Sequence, residues 1–80
     1  MKKYLSRKEQ ENLVKHLLSL LDKYDTYHKE NFNGKSIFDV DERIITVDTM
    51  LIRDFEKLYY AEAWKLDDDM LAKVQNRYFQ

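Results

Sequence analysis

Asn31-Phe32-Asn33-Gly34-Lys35-Ser36 is the stretch whose reading decides the fold. It holds the only glycine of an 80-residue chain that contains no proline. Gly and Pro are the usual interrupters of regular structure, so the chain has one strong punctuation mark. An Asn-Gly pair can make the tight turn of a β-hairpin, but that turn needs alternating apolar residues on its flanks. The upstream flank, Tyr27-His28-Lys29-Glu30-Asn31-Phe32, does not alternate. Gly34 therefore reads as a left-handed residue near a helix end.

Working upstream, apolar residues fall at Leu13, Leu17, Leu20, Tyr24 and Tyr27, at helical spacing. Val14, Leu18 and Leu21 widen that stripe beyond what one neighbouring helix would cover. Lys15, Ser19, Asp22 and Thr26 fill the opposite side. Ser6-Arg7-Lys8-Glu9 fits a capping box, with Ser6 accepting from the Glu9 amide and Glu9 reaching back to the Ser6 amide. The spacing predicts a helix over residues 6–30 and a turn over 31–38.

Downstream, Val40, Ile44, Val47, Leu51, Phe55 and Leu58 form a second stripe, flanked by Ile45, Ile52 and Tyr59. It predicts a helix over 39–66, started by Asp39 or, alternatively, by Ser36. Residues 43–52 are rich in Ile, Val and Thr and would also suit a strand, but strict alternation fails there. Asp67-Asp68-Asp69 offers an N-cap and an acidic first turn for a short helix over 68–78, with Leu71, Val74 and Tyr78 on one side. The expected fold is all-α: two long antiparallel amphipathic helices and a short C-terminal helix in one domain, residues 1–80. The apolar arcs are too wide for one hairpin, which predicts a homodimer, as in a four-helix bundle with appended helices.

Composition narrows the function. The chain has no cysteine, which removes disulfides and thiolate metal sites. The near absence of glycine argues against phosphate-cradling loops and dinucleotide fingerprints. No apolar run approaches the roughly 20 residues of a membrane span, and no secretory signal is recognisable, so a cytoplasmic protein is expected. Usage rich in Lys, Asn, Asp, Ile and Tyr is that of an AT-rich source, such as low-GC bacteria or their phages. The net charge of −1 divides into +3 before Ser36 and −4 from Ser36 onward. Two complementary surfaces within the assembly account for that division, as does a basic arm for an acidic partner.

Asp25 and His28 share a helix face at the spacing of half a di-iron site, but the chain has no second such pair. Asp39-Val40-Asp41 opens like a calcium loop, yet Ile44 and Met50 stand where glycine and glutamate are required. No serine, histidine or carboxylate sits in a recognisable catalytic motif, so neither an enzyme nor a cofactor or metal site is expected. Asp48 and Asp54 border the second stripe, where they would pair with Lys or Arg of the basic half or edge a groove. Lys2, Lys3, Arg7 and Lys8 form a basic N-terminal arm that could contact phosphates, against a slightly acidic total. Tyr59, Tyr60 and Trp64, with Tyr78 and Phe79, give the strongest interaction signal, because aromatics dominate binding hot spots. Tyr60 and Trp64 would either receive the third helix internally or face a partner. The leading expectation is a non-catalytic, protein-binding regulator, inhibitor or adaptor. Its alternatives are a nucleic-acid-binding protein that uses the basic arm, and a small metal- or ligand-binding bundle.

Overall fold

The computed structural model describes residues 3–79. It is all-α: α1 spans Arg7–Phe32, α2 spans Glu42–Glu62 and α3 spans Asp68–Tyr78, with no strand among the described residues. Short 3₁₀ turns precede and follow α2, at Ile37–Asp39 and Ala63–Lys65. The molecule is a rod with extents of 49 × 18 × 17 Å. α1 alone, at 1.5 Å per residue over 26 residues, accounts for roughly 39 Å of that length.

The ends of the helices follow from their capping residues. Ser6 accepts from the Glu9 amide at 3.3 Å, as expected for a capping box. The reciprocal arm differs: the Glu9 carboxylate accepts a hydrogen bond from the Ser6 hydroxyl at 2.8 Å, rather than from the Ser6 amide. At the far end, Asn33 is itself the left-handed C-cap (φ 41°), and Gly34 follows in the same region at φ 78°. Two successive left-handed residues turn the chain sharply. The second of them is the position where a side chain would be most strained, and there the sequence has its glycine.

Both proposed starts of the second helix are displaced. Ser36 caps only the single turn Ile37–Asp39. The chain then extends through Val40, and Asp41 caps α2 by accepting from the Arg43 amide at 2.8 Å. Asp41 is the better cap because Arg43 also bonds its carboxylate, which holds that carboxyl below its ordinary range. Residues 43–52 lie wholly within α2. The helix also stops earlier than the stripe suggests, at Glu62, whose backbone (φ −123°) leaves the helical region. Asp67 then caps α3 through the Met70 amide at 2.9 Å.

The hydrophobic core occupies one end of the rod. Val14, Leu17 and Leu21 of α1 meet Phe55 and Tyr59 of α2, Leu66, and Met70 and Val74 of α3. Fully burying each aliphatic or phenyl side chain is worth roughly 1.5–3 kcal/mol. Connections along the rod fix how the helices lie. Leu5, just before α1, donates its amide to Lys65, just after α2, at 3.0 Å. His28, near the end of α1, meets Asp48, near the start of α2. Arg77 in the last turn of α3 bonds both Asp22 and Asp25 of α1, the latter at 3.0 Å. α3 therefore ends about two-thirds of the way along α1, and beyond Asp25 the rod is only two helices wide.

Both long helices turn their predicted stripes relative to this core. On α2 the buried positions are Asp48, Phe55 and Tyr59, so the core takes Phe55 from the main stripe and Tyr59 from its flank. Ile44 and Leu51 of the main stripe are only half-buried, and Val47 is exposed. On α1 the inward face is Gln10, Val14, Leu17 and Leu21, while Leu13, Leu20 and Tyr27 stay half-buried. The physical reason is the short third helix: it covers one edge of each wide arc and leaves the other edge without a cover.

Candidate functional site

The aromatic group predicted from the sequence divides into a buried half and an exposed half. Tyr59 is buried on the core side of α2, and its hydroxyl accepts from Gln75 of α3 at 3.1 Å. Its ring lies 5.5 Å from Phe55 and 5.8 Å from Tyr78. Tyr59, not Tyr60 or Trp64, therefore receives the third helix, and it contributes to a surface only through the rings it supports. Tyr60 and Trp64, for which internal packing against α3 and a partner-facing position were the alternatives, are 71% and 59% exposed, and Phe79 is 72% exposed. One residue decides this, because a step of about 100° around α2 carries the chain from the core side to solvent.

The exposed rings are held by specific contacts rather than left loose. Tyr60 stands edge-on to Tyr59 at 5.4 Å, and Phe79 lies 4.8 Å from the half-buried Tyr78. The Tyr78 phenol is pushed above its ordinary range, first by burial and then by the neighbouring Glu56 carboxylate and Tyr60 phenol. Phe79, Tyr78, Tyr59 and Tyr60 thus form a continuous chain of ring contacts across α2 and α3. Trp64 sits one helical step beyond Tyr60, in the 3₁₀ turn. Its indole N–H donates to the Ala61 carbonyl at 3.0 Å, and the Lys65 ammonium lies 5.4 Å from the ring centroid. Lys65 is also paired with Glu62 at 2.6 Å. The exposed π-faces are thus held in place, with the paired Lys65 and Glu62 at their margin.

The basic arm is interleaved with acid. Lys3, Arg7 and Lys8 are exposed, and Lys2 lies outside the described residues. Arg7 pairs with Glu11 at 3.6 Å, and Glu9 shares the same turn. Further along α1, the candidate half-site for a metal is taken apart by its neighbours. Asp25 bonds Arg77, while His28 Nδ1 lies 3.1 and 3.3 Å from the two carboxylate oxygens of Asp48. Asp48, expected to pair with a Lys or Arg or to edge a groove, is paired with His28 rather than with a Lys or Arg. Asp48 faces inward near the start of α2, where the residue presented by α1 is a histidine. His28 is fixed from its other side by stacking on Phe32 at 4.3 Å. Among the described residues, no three His, Asp or Glu side chains gather as a metal site would require.

Sequence reasoning missed Gln10. It is buried, donates from Nε2 to the Leu5 carbonyl at 2.8 Å, and accepts from the Asp67 amide at 2.9 Å. One side chain thereby joins the entry of α1 to the N-cap of α3. A signal was present, since Gln10 falls four residues before Val14 on the face that continues through Leu17 and Leu21.

With this geometry in place, comparison with known proteins adds no further identification: no family model, no curated protein and no solved structure matches the chain. No helix of the described residues is long and apolar enough to cross a membrane.

Proposed function

We propose that this chain is a small non-catalytic protein-binding regulator, inhibitor or adaptor, built as an antiparallel hairpin of α1 and α2 that works as a homodimer. α3 braces the hairpin, and the exposed Tyr60, Trp64 and Phe79 form the partner-binding face. The observation that carries the reading is that exposure. Tyr60, Trp64 and Phe79 are exposed in or just after α2 and α3, while the core packs without them. Aromatic side chains held in place lose little entropy on binding, which is why they dominate hot spots.

The test is capture from the source cell with the native chain and with a Tyr60→Ala/Trp64→Ala variant, each with and without nuclease. A protein retained by the native chain through nuclease treatment and lost by the variant supports the reading. A protein retained equally by both defeats the aromatic face. Retention that disappears with nuclease transfers the function to the exposed Lys3, Arg7 and Lys8.

A further inference from the structure

The half of the rod that α3 does not reach is unfinished as a core. From Asp22 to Asp54, the one buried residue among those described is Asp48, a charged side chain. Every apolar side chain in that span is half-buried or exposed. Between α1 and α2 lies an open groove of 590 Å³ whose apolar lining is Tyr27, Val47 and Leu51. A second hollow of 330 Å³ continues it past Tyr27 and Val47 to Ile44. The groove begins where α3 ends, since Asp22 lines it and also bonds Arg77 of the last turn.

We infer that this groove is the self-association surface of the protein, and that its occupant is the same groove of a second copy. The inference rests on the proposed homodimer but not on the aromatic face. Area is the first argument. The chain exposes 6190 Å² for a mass of 9.8 kDa. A compact monomer of that mass exposes about 5,200 Å², so the excess is about 1,000 Å². A stable dimer hides about 800 Å² on each partner, and the excess, spread over the whole rod, leaves room for one. Charge is the second argument. A two-fold interface sets one surface against itself, so a face of one sign would repel its copy. This groove is bordered by both signs: Asp22, Glu30 and Asp41 alongside Lys23 and Arg43. Architecture is the third. Two exposed two-helix faces, placed together, make a four-helix layer with Tyr27, Val47 and Leu51 of both copies inside it. That arrangement covers the free edges of the apolar arcs. It leaves Tyr60, Trp64 and Phe79, which do not line the groove, open to a different partner.

Sedimentation velocity across the micromolar range tests this, with circular dichroism to verify folding. Val47→Lys sets a cation beside Arg43 and Thr26→Glu an anion between Asp22 and Glu30, at positions already exposed in the monomer. The native chain should dimerise, and each variant should stay helical while its dimer dissociation constant rises about tenfold or more. Concentration-dependent shifts of the Tyr27, Val47 and Leu51 amides in the native chain provide a readout that needs no substitution. A native chain that stays monomeric overturns both the inference and the homodimer beneath it. A dimer indifferent to both groove variants, or one lost on Tyr60→Ala/Trp64→Ala instead, overturns the groove while leaving the homodimer standing.

Discussion

Replacing Gln10 with methionine should be among the most damaging single changes to this fold, although it preserves the size of the side chain. Gln10 is 5% exposed and makes two hydrogen bonds to backbone, donating to Leu5 at 2.8 Å and accepting from Asp67 at 2.9 Å. Methionine fills the same space and leaves both backbone groups without partners. Each stranded buried group costs about 1–3 kcal/mol. Leu5 and Asp67 are themselves only half-buried, so water relieves part of that cost, and the lower part of the range applies. The expected loss is about 2–3 kcal/mol out of the roughly 4–12 kcal/mol available to a chain this long. In a domain of this size that lowers Tm by roughly 10–20 °C. Urea denaturation and thermal melts followed by circular dichroism measure it, at a concentration held constant so that association does not shift the midpoint. Asn12→Met, two residues away at an exposed position, serves as the control and should stay within about 0.5 kcal/mol of the native chain. Equal stabilities for the two variants would refute the reasoning, because they would mean that the junction between α1 and α3 does not depend on Gln10.

Other expectations follow from the same structure. His28→Ala strands the inward-facing Asp48 carboxylate and should cost about 1–3 kcal/mol in urea denaturation, whereas His16→Ala, at an exposed site, should cost almost nothing. Leu17→Ala opens a cavity at a fully buried position and should cost about 2–5 kcal/mol by the same measurement. The Tyr24 phenol is pushed above its ordinary value of 10.0, first by burial and then by Asp48, Asp25 and Glu56. The folded state therefore keeps a proton that the unfolded state releases, so stability present below that value is lost as pH rises through the folded value. Tyr24→Phe should flatten the fall in melting temperature on the alkaline side and leave neutral pH nearly unchanged.

The all-α character was legible because the residues that would break helices are nearly absent, and because Ser6 and Asp67 announce their helices by side-chain chemistry that acts within one turn. Asp41 works the same way, yet three candidate caps lie within six residues, and only the backbone path through the extended Val40 decides among Ser36, Asp39 and Asp41. The rotation of each helix about its own axis was not legible. Tyr59 flanks the stripe and Tyr60 does not, but periodicity left open which ring receives the third helix. What settles it is a contact between elements, Gln75 of α3 donating to the Tyr59 hydroxyl. The same holds for Asp48: its position on the stripe was visible, but its partner depended on how far α1 slides along α2. Interactions within one turn are written locally, and interactions across helices depend on lengths and offsets that no window of sequence contains.

The length of α3 links the fold to both proposed surfaces. Eleven residues cover only part of α1, and the helix ends where Arg77 reaches Asp22 and Asp25. Where α3 is present, the core closes around Phe55 and the aromatics left over are directed outward, supported from beneath by Tyr59. Where α3 is absent, the apolar arcs have no third cover, and Tyr27, Val47 and Leu51 border open space. A longer third helix would complete the two-helix half internally and remove the reason for a second copy. A missing one would leave Tyr59 and Phe55 uncovered and turn the aromatic face into exposed core. One short helix therefore separates the proposed self-association groove from the proposed partner-binding face. This separation is why changes in the groove should alter assembly without altering capture of a partner, and changes at Trp64 the reverse.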